Sequence, residues 1–203
     1  MMRKSLLLFI LPLVFSSFSL IHTNGLTDAE RKFAVDHLNK TRADLIASVQ
    51  GLSEAQLNFK TAPDRWSVLE CVQHITLASQ GIFGLAQQTA KTPNDSNFTS
   101  GVTDSMFIVM VEDRTHKAQA PEPFKPVHSS FKNLDETLTA FNAGRDSVIN
   151  YVQTTNDDLR AHITNLGFAK VDAYQLILLV SAHTNRHMQQ LMEVKADPNF
   201  PKQ

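Results

Sequence analysis

A chain of 203 residues with 19 Lys and Arg, 20 Asp and Glu and a formal charge of −1 offers no basic stripe for nucleic acid. With 42% hydrophobic residues it can build one sizeable core. Its single cysteine, Cys71, excludes an internal disulfide, so packing has to supply the stability.

The first 24 residues do not read as part of the fold. A short basic start (Arg3, Lys4) leads into an apolar run from Leu6 to Phe15, followed by small residues Ser16, Ser17 and Ser19. That is the layout of a secretory signal peptide, with cleavage expected between about Ser17 and Asn24. The run is shorter than the ~20 apolar residues of a spanning helix, so no stable membrane span is expected after cleavage. Residues 25–203 are then one exported domain, secreted or periplasmic.

Helical periodicity dominates the rest. Thr27-Asp-Ala-Glu30 has capping-box spacing and opens a first helix whose stripe is Ala34, Leu38, Thr41, Leu45 and Val49, with Gly51 as its stop. A connector from Leu52 to Arg65 contains a proline turn. Ser67-Val-Leu-Glu70 is a second capping box, with Trp66 placed as a staple; the helix it opens carries Cys71, His74, Ala78, Ile82 and Leu85 on one face. Residues 103–117 read as a less regular helix that Asp104 can cap. The segment from Ala120 to Pro126, with three prolines, reads as an extended loop. A third long helix is expected from about Ser130 to Thr155, with Leu134, Leu138, Phe141, Val148, Ile149 and Val152 on its stripe. After a connector with Gly167, the fourth spans 172–195. Four long amphipathic helices without convincing strands make an all-α four-helix bundle, with a long connection between the second and third.

The last helix carries the chemistry. Its stripe runs Leu176, Leu179 and Val180, then His183, His187, Leu191 and Val194. Residues four apart share a helical face, and imidazoles seldom sit on a core stripe unless something satisfies their nitrogens. His74 occupies the same kind of position on the second long helix. Together they form a three-histidine site for a divalent transition metal, with one coordination position left open as in catalytic sites. Water or a thiol there would be activated.

The pattern Trp66-Ser67-x-x-Glu70-x-x-x-His74, followed about 110 residues later by His183-x-x-x-His187-x-x-Gln190-Leu191, resembles the DinB-like (DinB/YfiT) superfamily. The resemblance covers most of the mature chain. It implies a four-helix bundle with His74, His183 and His187 as ligands to one divalent ion, zinc or nickel foremost. It also implies relatives that form homodimers, and relatives that transfer low-molecular-weight thiols such as bacillithiol or mycothiol. Those thiols are cytosolic, and here an exported chain departs from the pattern.

Four neighbours remain to be placed. Glu70 is either a support for His74 or the partner of the Ser67 cap, with the cap preferred. Cys71 is a fourth ligand, a redox-sensitive neighbour or a small buried filler, with the filler preferred. Gln190 can line the site, and Arg145, on the third helix's apolar stripe, can anchor an anionic substrate, snorkel or pair with an acid. Arg186 reads as part of a solvated face or of an ion pair, and His22, His37, His116, His128 and His162 as surface residues. No HExxH, GxSxG, P-loop or GxGxxG motif is present. These features lead to an exported metal-dependent enzyme of hydrolase or thiol-transferase type acting on a small molecule. The alternative is a non-catalytic metal-binding or sensing bundle.

Overall fold

A computed structural model describes residues 25–202, apart from 96, 97 and 99. The expected signal segment therefore lies outside the described residues. Six α-helices are present among them: α1 (Asp28–Val49), α2 (Glu54–Asn58), α3 (Val68–Thr89), α4 (Asp104–Glu112), α5 (Leu134–Thr154) and α6 (Ala173–Lys195). The four long ones form the bundle. Both α5 and α6 pack against α1 and α3, so α1 lies diagonal to α3 and α5 diagonal to α6. Among the described residues no helix is long and apolar enough to cross a membrane.

Local sequence explains where the helices begin. Thr27, Ser67 and Asp172 each accept a hydrogen bond from the backbone N–H three residues on, and the side chain at that position accepts one from the cap residue's own N–H. Ser53 and Gln56 do the same for α2, which lies inside what reads from sequence as a plain connector. Thr103, rather than Asp104, caps α4. Asp104 instead binds Arg160, whose guanidinium also holds Glu30 and Asp172. One side chain thus clasps the N-terminal turns of α1, α4 and α6. Its Cζ lies 4.1 Å from the centre of the Tyr174 ring.

Two sequence expectations are corrected. The proline-rich segment is not simply extended: it coils into two 3₁₀ turns, Glu122–Phe124 and Pro126–His128, each with a proline in its first turn where a missing N–H costs nothing. The connector before α6 holds an antiparallel hairpin, β1 (Ile163–Asn165) and β2 (Lys170–Asp172), pairing Ile163 with Asp172. Gly167 supplies its turn with φ of +86°. Three-residue strands carry too little alternation to be read from sequence.

The predicted stripes face inward. Ala34, Leu38, Thr41, Leu45 and Val49 of α1 are all buried. The first ten residues of α6, from 173 to 182, are buried all round, because α1, α3 and α4 surround this half of the helix. From His183 onward the helix reaches partial exposure, and there the histidines stand.

Candidate metal centre

His74, on the first half of α3, is buried, while His183 and His187 on α6 remain partly exposed. One ring nitrogen from each lies within 4.8 Å of the other two. The three rings sit 4.3–5.1 Å apart, centre to centre. Trp66 covers one side, 4.7 Å from the His74 ring and 5.9 Å from that of His187. The residue before the cap of α3 is therefore both a packing anchor and a wall of the site.

Hydrogen-bond partners assign the protons. His74 Nδ1 lies 2.7 Å from the Phe124 carbonyl oxygen. A carbonyl only accepts, so Nδ1 donates and Nε2 keeps a lone pair. His187 Nδ1 lies 2.9 Å from Gln190 Oε1, an oxygen that also accepts from Arg114 Nη1 at 3.4 Å. His187 Nε2 is therefore unprotonated too. The two Nε2 atoms stand 3.1 Å apart. Two neutral imidazoles so placed aim lone pair at lone pair, an arrangement that a shared cation makes favourable. His183 Nδ1 is buried without a hydrogen-bond partner, and such an atom is costly unless something binds it.

Electrostatics keep these rings neutral, the form that binds metal. Burial lowers the affinity of His74 for a proton, against the pull of the Phe124 carbonyl. Burial, with His74 and Arg186 adding, pushes His183 down to about 3. Burial and the two neighbouring imidazoles hold His187 well below its ordinary value. The donor set fits a divalent ion: tetrahedral bonds of about 2.0–2.1 Å separate two nitrogens by roughly 3.3 Å, close to the Nε2 pair seen.

The other sequence candidates divide. Gln190 is the acceptor that orients His187, and Arg114, paired with Glu193 at 2.7 Å, holds Gln190 from behind. Glu70 does not touch His74; it accepts from the Ser67 N–H at 2.8 Å and pairs with Lys60 at 2.7 Å. The carbonyl of Phe124 takes the role considered for it. Cys71 is fully buried among Val49, Leu57 and Val68 and stands outside the histidine group, its thiol pushed up to about 12 by burial. Arg145 is also outside the group; it is buried and donates to Thr184 Oγ1 at 2.8 Å, with neither a snorkelled head nor, among the described residues, an ion-pair partner. Arg186 is half-buried and turns its donors on backbone: it donates to the carbonyls of Val111, Asp113 and His116, terminating α4. His37 and His162 are half-buried rather than at the surface.

Sequence reasoning missed Phe124 and Gly81. A backbone carbonyl has no residue-type signature. Gly81, on α3, faces the Phe124 ring so closely that a Cβ there would stand 2.4 Å from it. The glycine is what lets the 3₁₀ turn settle on α3 and bring its carbonyl to His74.

The family model described as the DinB superfamily matches residues 37–191, a span that includes all three histidines. The chain belongs to the DinB superfamily. Among curated relatives, the uncharacterised protein YuaE of Bacillus subtilis (strain 168) is 20% identical over 158 residues, 77% of this chain and 94% of YuaE. No solved structure gives a significant match. As a DinB-superfamily bundle, the chain has its three histidines gathered into a group that can hold a metal ion.

Proposed function

We propose that this DinB-superfamily protein is an exported metal-dependent enzyme that holds one divalent transition-metal ion, zinc or nickel, on His74, His183 and His187 and acts on a small molecule. The observation that carries the reading is the facing pair of unprotonated Nε2 atoms at 3.1 Å. A divalent ion on three neutral imidazoles supplies Lewis-acid activation at its remaining position. The chain's own residues do the rest. Phe124 and Gln190 keep the protons on the outer nitrogens of His74 and His187. Trp66 shields one side from water, and the partial exposure of His183 and His187 leaves α6 as the side of approach. Export favours hydrolysis over transfer of a cytosolic thiol.

One observation favours a second reading, a non-catalytic metal-binding or sensing module. Two cavities, of about 250 Å³ between α3 and α5 and about 400 Å³ between α1 and α5, are lined by none of the three histidines. The first test is elemental analysis of untagged protein beside His74→Ala and His183→Ala. About one equivalent of metal in the wild type, lost in both variants, is expected. Metal content unchanged in either variant refutes the ligand assignment. With the metal identified, hydrolysis of a panel of small esters, amides and phosphoesters separates the enzyme from the module. Mass analysis of the secreted form tests export by reading its N-terminus.

A further inference from the structure

The buried arginine of α5 is unexplained by the metal centre. Arg145 is 2% exposed, one of the largest fully buried side chains. Its Nη2 donates to Thr184, but Nε and Nη1 have no hydrogen-bond partner, and it belongs to no ion pair among the described residues. The charge that acts on it is another cation, Arg42, itself paired with Asp146. Burial, with Arg42 adding, pushes the guanidinium down to about 9, so it is still cationic at neutral pH. A buried charge without a counterion is among the costliest features a fold can carry.

Arg145 lines a cavity of about 250 Å³ between α3 and α5. Ser79 lines it from α3, and its Oγ is also buried and unpartnered. Two residues that line this space thus carry buried donors without partners, three in all, and the lining contains no carboxylate. The remaining walls are mainly apolar, with Phe83, Phe141, Val148 and Val180 among them, and the Phe141 ring lies 5.1 Å below the guanidinium. Gly84 and Gly144 hold the space open, since a Cβ at either would meet nothing within 4 Å. The volume falls just under the range of drug-sized pockets.

We propose that this cavity is a second binding site, which takes a small organic carboxylate, its head on the Arg145 guanidinium and the Ser79 hydroxyl and its apolar body against the phenylalanines. Guanidinium N–H groups match a carboxylate in geometry as well as charge. The site is independent of the metal centre, whose three histidines are absent from its lining.

The test titrates the protein with sodium benzoate and sodium butyrate, read by calorimetry and by the melting temperature, against sodium chloride at matched ionic strength and against sodium phosphate. A saturable rise in Tm with either carboxylate is expected. Affinity should fall at least tenfold in Arg145→Met, which removes the charge, and in Gly84→Leu, which fills the space and keeps the charge. It should be unchanged in His183→Ala. Should Arg145→Met fail to fold, Gly84→Leu decides alone. Carboxylates that act no differently from chloride overturn the proposal, as does equal affinity in Gly84→Leu. Loss of binding in His183→Ala reassigns the carboxylate to the metal centre, and a response to phosphate alone overturns the ligand class.

Discussion

Replacing Gly81 by alanine should weaken metal binding without touching a ligand. The new Cβ would stand 2.4 Å from two atoms of the Phe124 ring, and ordinary contact requires the ring to retreat by about 1 Å. Phe124 sits in a three-residue 3₁₀ turn between prolines, so displacing its ring also displaces its carbonyl, the acceptor 2.7 Å from His74 Nδ1. Losing that partner costs a buried donor about 1–3 kcal/mol. Losing the group that orients a metal-bound histidine typically costs 10–100-fold in affinity. The helix meanwhile gains about 0.5–1 kcal/mol from glycine to alanine. Without metal the fold should therefore lose at most about 2 kcal/mol, while zinc affinity falls 10–100-fold. A chelator competition titration reads the affinity and a circular-dichroism melt reads the stability. Phe124→Ala in the Gly81→Ala background removes the clash and keeps the carbonyl, so it should restore most of the affinity; this cycle isolates the contact. Unchanged zinc affinity in Gly81→Ala refutes the proposed role of the turn.

Three further outcomes are expected. Arg160→Ala strips Glu30, Asp104 and Asp172 of their shared partner; for a network only partly exposed the cost should be about 2 kcal/mol, lowering Tm by roughly 4–8 °C, and a fall below 1 °C would show the clasp to be idle. Burial works against the Glu30 carboxylate, but hydrogen bonds from Thr27 and Arg160 outweigh it and hold its pKa below the ordinary value. Its contribution is thus complete above about pH 4.5 and lost as pH falls through the depressed value. Urea titrations at pH 5 and pH 3 should show a smaller acid loss in Glu30→Gln, and equal losses would contradict the sign. Cys71, fully buried with its thiol pushed up to about 12, should resist an aromatic disulfide reagent until the protein unfolds; rapid labelling of the native protein would contradict its placement.

Much of this protein is local and therefore legible in its residues. Capping boxes at Thr27 and Ser67 state where α1 and α3 begin, because the groups that satisfy the free N–H donors are three residues apart. The stripe of α6 marks His183 and His187 as core-facing, because their one-turn spacing is set by helix geometry alone. His74 could be matched to them from its own stripe and from the family pattern. Tertiary structure decided what lies across the bundle. His74 and His187, 113 positions apart in sequence, come within 3.1 Å only once α3 packs on α6. The protonated nitrogens are chosen by a backbone carbonyl from a proline-rich turn and by an amide steadied by Arg114. Arg145 could be read as snorkelling, paired or anchoring an anion, and only packing shows it buried and, among the described residues, without a counterion. Periodicity reports which face of a helix is buried; which partner each buried polar atom meets depends on chain segments distant in sequence, and that is settled only when the helices pack.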